Sequence, residues 1–166
     1  MEKQQPLIDA FLNQTRIAVV GLSRSKLTPG NAITQKLHGA GYSVFPVHPE
    51  METFEGIPCH TSLSSIGEPL DGVMLATRPE VTEQLVDECI ALGVPRIWMH
   101  NRLGTCTRIG KGTAAQETSV SEAGTAKARE AGIEVITGSC PMQFVAPLDR
   151  MHRCLSWFNR VTGNTR

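Results

Sequence analysis

Apolar residues occur in short unbroken blocks along this chain, separated by longer stretches in which they recur every three or four positions. Ile17-Ala-Val-Val-Gly21, Tyr42-Ser-Val-Phe-Pro-Val47, Gly72-Val-Met-Leu-Ala76, Arg96-Ile-Trp-Met99 and Glu134-Val-Ile-Thr137 read as strands, with Ile57-Pro-Cys-His60 as a further short one. Runs this short and this continuously apolar suit strands covered on both faces. Between them lie helix signals. Thr28-Pro29 opens a helix with the stripe Ile33, Leu37 and Ala40, stopped by Gly39 and Gly41. Thr77-Arg78-Pro79-Glu80 fits a capping box with Thr77 as the cap, ahead of the stripe Val81, Leu85, Cys89 and Leu92 and the stop at Gly93. Ser119-Val-Ser-Glu122 is a second capping box, opening a helix that ends before Gly132. Shorter helices are predicted near Leu7–Leu12 and Leu148–Asn159.

Alternating strands and helices force right-handed crossovers, so the pattern predicts an α/β fold. The expected architecture is a three-layer doubly wound Rossmann-like parallel sheet of about five to six strands, in a single domain spanning residues 1–166. Residues 101–118 are rich in Gly and Thr and lack periodicity, which predicts a long flexible loop leaving the carboxyl end of a strand.

In such sheets ligands sit outside the carboxyl ends of the strands, where the strand order reverses. Three predicted loops reach that edge. The first, Val20 to Gly30, joins a strand to a helix N-terminus, where backbone N–H groups and the helix dipole favour phosphate. Ser23 and Ser25 add hydrogen-bond donors, and Arg24 and Lys26 add charge. The spacing is neither G-x-G-x-x-G nor a Walker loop, since Ser23 stands where the second glycine belongs. The second loop is Val47-His-Pro-Glu50. A dinucleotide site wants an acid at the end of that strand for the ribose diol. Here the position holds His48, and Glu50 comes two residues late, which favours an extra ribose phosphate over a free diol. The third is Ala76-Thr-Arg-Pro-Glu80, where Arg78 projects a guanidinium near the crevice.

Composition narrows the field. Lys+Arg 16 balance Asp+Glu 16 over 166 residues, a poor match to nucleic-acid binding, which runs on clustered positive charge. No apolar stretch approaches the roughly 20 residues of a membrane span, and Asp9 and Asn13 interrupt the first apolar residues, so no signal peptide is read. Cys59, Cys89, Cys106, Cys140 and Cys154 are odd in number and include no C-x-x-C pair, which points away from disulfides and zinc and toward a reducing, cytoplasmic setting. His48, Cys59, His60, His100 and Cys106 lack metal-ligand spacing. Lys111 reads as a solvated lysine, Trp98 as core, and Trp157 with Phe158 as the anchor of the last helix.

The ordered set of motifs resembles the CoA-binding domain family, small stand-alone Rossmann-type proteins related to the N-terminal domain of the succinyl-CoA synthetase alpha subunit. The matching pieces are Val19-Val-Gly-Leu-Ser23, Gly41-Tyr-x-Val-x-Pro-Val-x-Pro49, Arg78-Pro-Glu80, Ile97-Trp-Met-His100, Arg129-Glu-Ala-Gly-Ile133 and Cys140-Pro141, spread over residues 15–145. The resemblance implies coenzyme A bound across the carboxyl edge. It implies Gly21, Ser23 and Lys26, with Leu22 and Arg24, at the phosphates, and Val47, His48 and Pro49 along the adenosine. Ala76, Thr77, Arg78 and Val81 then lie across the crevice, nearer the pyrophosphate and pantetheine. In the synthetases the phosphorylated histidine belongs to another domain, so the resemblance implies binding of CoA or an acyl-CoA and not catalysis. The 101–118 loop departs from the family pattern and leaves the thiol end open.

Two other classes compete. One is an NAD(P)-linked oxidoreductase, against which stand the broken glycine triplet, the missing ribose acid and the lack of a catalytic Tyr-x-x-x-Lys, Tyr42 being the only tyrosine. The other is a CoA-linked thiol redox function through Cys140, with His100 ending a neighbouring strand. A sheet that has lost its ligand and serves as an interaction partner is the blandest reading. The acyl group, the pathway, a protein partner and a homodimer are all left open by the sequence.

Overall fold

The computed structural model describes residues 4–101, 118–137 and 139–147. Its elements run α1 (Gln4–Leu12), β1 (Arg16–Val20), α2 (Pro29–Gly39), β2 (Ser43–Val47), β3 (Thr53–Phe54), β4 (Ile57–Pro58), β5 (Gly72–Leu75), α3 (Pro79–Ala91), β6 (Arg96–Met99), α4 (Glu122–Glu130) and β7 (Glu134–Ile136). Five strands form one sheet in the order β2-β1-β5-β6-β7, and every pairing within it is parallel. The expected α/β architecture is therefore present, with five strands in the main sheet.

Alternation along each strand sends side chains to opposite faces. Ala18, Val20, Val73, Leu75, Ile97 and Met99 meet Val86 and Cys89 of α3 and Ala128 of α4. Ile17, Val19, Met74, Trp98 and Ile136 meet Ile8 and Phe11 of α1 and Ile33 and Leu37 of α2. Burial on both faces is why these strands read as unbroken apolar runs. Trp98 lies in the core as expected, its ring 5.4 Å from Phe11 in an edge-on arrangement. Its indole N–H donates to the Ser139 carbonyl at 3.0 Å.

Several expectations are corrected. Ile57–His60 is not a strand of the main sheet: Ile57–Pro58 closes an antiparallel hairpin with Thr53–Phe54, and only His60 rungs onto Val47. The α3 cap is Arg78, with no side-chain cap bond, and not Thr77, whose hydroxyl lies 2.9 Å from that of Thr82. Pro79 at the first helical position fixes this, because it makes residue 78 the cap. The buried residues of α3 are Thr82, Val86 and Cys89: Cys89 is on the expected stripe, Thr82 and Val86 lie one position on from the expected Val81 and Leu85, and Leu92 is exposed. α4 is capped by Ser121 accepting from Gly124 N at 3.0 Å, not by Ser119. Ser121 also donates to Glu83 at 2.6 Å and Lys127 pairs with Asp87, which fastens α4 to α3.

Asn101 and Thr118 form an antiparallel bridge, so the chain that leaves β6 returns to its starting point. Residues 102–117, most of the expected loop, and the expected helix near 148–159 lie outside the described residues, as do Cys106, Lys111, Cys154, Trp157 and Phe158. Among the described residues no helix is long and apolar enough to cross a membrane.

Candidate functional site

The strand order reverses between β1 and β5, which connect to opposite faces of the sheet through α2 and α3. Their carboxyl ends therefore open a crevice. Gly21, immediately after β1, has φ +109, and a Cβ there would lie 2.3 Å from the Ala76 carbonyl oxygen. Only glycine permits that backbone and that approach. The first and third loops thus meet directly at the switch point. Gly30 is equally constrained, since its Cβ would stand 2.5 Å from the Gly21 oxygen, and this lets α2 press onto the loop that precedes it.

Between these glycines the loop is held by a buried clamp. Asn31 accepts from Ser23 N at 2.9 Å and donates through Nδ2 to the Ser23 carbonyl at 2.9 Å. The Thr28 hydroxyl lies 2.9 Å from the Gly21 carbonyl and 2.5 Å from Asn31 Oδ1. Thr28 also caps α2 as expected, accepting from Asn31 N at 3.3 Å. Ser23 Oγ accepts from Ser25 N at 3.3 Å. Asn31 and Gly30 were not among the candidate residues. The Thr-Pro start at 28–29 marked the helix, but a residue in its first turn carries no sign that it reaches back eight positions.

The first and second loops are joined by Arg24, whose Nη2 lies 2.9 Å from Glu50 Oε2 and whose Nη1 donates to the Glu50 carbonyl at 3.4 Å. Both side chains are exposed, so the pair is a weak tether. The His48 ring accepts the Glu50 N–H on Nδ1 at 3.1 Å, which ties the ring to its own turn. Pro49 is exposed beside it. Leu22 and Val47 place their side chains in the two cores, so their backbones are what they offer a ligand. In the third loop, Ala76, Thr77 and Val81 are half-buried and Arg78 is exposed at the N-terminus of α3. Among the described residues neither Lys26 nor Arg78 is paired with a carboxylate.

On the other side of β5, His100 and Cys140 both sit at the carboxyl edge, and both are buried. Asn101 N donates to the Ser139 carbonyl at 3.3 Å, which draws the ends of β6 and β7 together. Burial pushes the Cys59 thiol upward and, with the nearby Glu88 charge, the Cys89 thiol up to about 12, so neither is an activated thiolate. Tyr42 donates to the Leu12 carbonyl at 2.7 Å, a structural tie to the end of α1. Among the described residues no group of three or more His, Cys, Asp or Glu is arranged to hold a metal.

The sequence profile described as "CoA binding domain" matches residues 15–145, which contain every element of this edge. The chain belongs to the CoA binding domain family. Among curated relatives, the uncharacterized protein YneT of Bacillus subtilis is 31% identical over 88 residues, 53% of this chain and 65% of that protein. The ADP-forming acetate–CoA ligase I of Archaeoglobus fulgidus is 29% identical over 73 residues, 44% of this chain and 11% of the ligase. The matched region is thus less than two thirds of either relative. A hypothetical protein from Pyrococcus horikoshii superimposes with a TM-score of 0.70 at 23% identity, covering 93% of each chain. That likeness establishes a shared fold for this CoA binding domain.

Proposed function

We propose that this CoA binding domain binds coenzyme A or an acyl-CoA across the carboxyl ends of β1, β2 and β5, as a binding module without its own reaction. One observation carries the reading. At the switch point, two cations without a carboxylate partner among the described residues, Lys26 and Arg78, accompany a clamped loop in a protein whose β2 is followed by His48 and not by an acid. Cations at both walls match a ligand with several phosphates, and the missing acid matches a ribose that carries a phosphate in place of a free hydroxyl. Gly21, Ser23 and Lys26 then serve the phosphates, Pro49 and His48 the adenosine, and Thr77, Arg78 and Val81 the pyrophosphate and pantetheine side.

Thermal unfolding with CoA, acetyl-CoA, dephospho-CoA, NAD and NADP in parallel tests it. Ligand at about 100 times its dissociation constant adds about 2.7 kcal/mol. For a chain of this length that raises the midpoint by about 5–10 °C. CoA is expected to shift the midpoint more than dephospho-CoA, and NAD not at all. A shift with NAD or NADP alone overturns the reading.

A further inference from the structure

We propose that Thr82, inside the first turn of α3, is a positioning residue that commits the Thr77 hydroxyl to donate into the crevice. This rests on the binding reading above, in which Thr77 faces the ligand, and adds the residue behind it. Thr82 shares the core side of α3 with Val86 and Cys89, and all three are fully buried. Helix propensity does not call for a hydroxyl there, since valine has the same outline and ranks beside threonine.

The Thr82 hydroxyl also departs from the habit of helical threonines. These commonly donate to the carbonyl four residues back, as Thr34 does to Gly30 at 2.8 Å and Thr125 to Ser121 at 2.6 Å. The carbonyl four residues before Thr82 is that of Arg78, which already accepts from Val81 N and Thr82 N, each at 3.0 Å. Thr82 Oγ1 lies instead 2.9 Å from Thr77 Oγ1, and neither hydroxyl has another hydrogen bond among the described residues.

One contact shared by two hydroxyls leaves one proton over, and burial decides which. If Thr77 donates, the Thr82 proton is shut in the core without an acceptor. If Thr82 donates, the spare proton belongs to Thr77, which is half-buried at the carboxyl end of β5. Orphaning a buried donor biases the pair about 5- to 150-fold toward the second arrangement. Thr77 then accepts from behind and donates forward, one residue beyond the Ala76 carbonyl that closes on Gly21. A group placed against it must accept, as a phosphate or carbonyl oxygen does. That polarity agrees with its neighbours, the exposed Arg78 and the N-terminus of α3.

The test is calorimetric titration of the full-length protein with CoA, beside thermal unfolding of the same variants. Thr77→Val removes the donor and is expected to weaken CoA at least about tenfold, the size of a hydrogen bond to a charged group. Thr82→Val leaves the donor but frees its rotor among three staggered settings, so CoA is expected to bind about threefold more weakly with no loss in midpoint. Thr82→Ser keeps the hydroxyl and gives up a buried methyl, so the midpoint is expected to fall while affinity stays within about 1.5-fold of wild type. If Thr82 served the fold alone, affinity would follow stability and the serine variant would be the weaker binder. In the Thr77→Val background, Thr82→Val is expected to add nothing. Wild-type affinity in Thr82→Val, or an undiminished effect of it on top of Thr77→Val, overturns the positioning role alone. Wild-type affinity in Thr77→Val removes Thr77 from the site and the role with it. Failure of the wild type to bind CoA overturns the binding reading as well.

Discussion

Asn31 makes the sharpest test of the site because its side chain holds the first loop at Ser23, twice, and at Thr28. Replacing it with Ala removes the acceptor for Ser23 N and the donor to the Ser23 carbonyl, both at 2.9 Å, and the partner of the Thr28 hydroxyl at 2.5 Å. Net values of about 0.5–1.5 kcal/mol per bond, with partial replacement by water at the half-buried Ser23, give a loss of about 2 kcal/mol. In a protein of this size that lowers the unfolding midpoint by about 4–8 °C. CoA affinity is expected to fall at least about tenfold, because Ser23 and Lys26 lose their fixed positions. Asn31→Asp keeps the acceptor but sets a carboxylate against the Ser23 carbonyl and into a phosphate loop, so it is expected to bind CoA more weakly than Asn31→Ala. The assays are thermal unfolding and calorimetric titration on the same preparations. A lowered midpoint with unchanged affinity in both variants would mean that the clamp holds the fold and not the site. No change in either quantity would refute the clamp itself.

Two further outcomes follow from other parts of the molecule. Gly21→Ala drives a Cβ to 2.3 Å from the Ala76 oxygen at φ +109, so both backbones must move; a cost of about 2–5 kcal/mol is expected in denaturant unfolding, and a loss under about 0.5 kcal/mol would refute the close approach. The Arg16 side chain and the backbone N–H groups of Arg16 and Thr15 hold the Asp71 carboxyl below its ordinary value. The unfolded chain then binds the extra proton, so this stabilisation is present in full above the unfolded-state value and fades as pH falls below about 4 through the folded-state value. Asp71→Asn is expected to flatten the acid limb of the urea midpoint against pH, and a limb identical to wild type would sink the assignment.

The strands were legible because burial on both faces leaves a plain mark, five apolar blocks. Helix starts were legible only where one cap competed. Thr28 before Pro29 was read correctly, whereas the box at Thr77 ignored that Pro79 at the first helical position makes Arg78 the cap. The box at Ser119 likewise lost to Ser121, which is closer to the first helical turn. Features that depend on loops folding back had no local signal. The Asn31 clamp, the Arg24–Glu50 tether and the Gln35–Glu55 contact each join residues 8 to 26 positions apart. The hairpin was missed because its Glu-Gly turn lacks the Asn-Gly or Asp-Gly signature.

The self-capping of α2 changes what the first loop offers an anion. In a glycine-rich dinucleotide loop, free N–H groups at the helix N-terminus carry much of the phosphate recognition. Here Pro29 has no N–H, Asn31 N is taken by Thr28 Oγ1 and Ala32 N by the Thr28 carbonyl. Ser23 N is taken by Asn31, so Gly30 keeps the one N–H of that first turn without a hydrogen bond among the described residues. On the proposed reading, phosphate recognition then leans on the exposed side chains of Lys26 and Arg78. Exposed charges are screened within about 10 Å at 0.1 M salt and about 3 Å at 1 M, whereas amides enclosing a phosphate are screened far less. CoA affinity is accordingly expected to fall steeply over that salt range. Arg78→Ala is expected to weaken binding by about 1.5–3 kcal/mol at low salt and by much less at high salt. An affinity indifferent to salt, with Arg78→Ala equal to wild type, would return the phosphates to the backbone and remove both cations from the site.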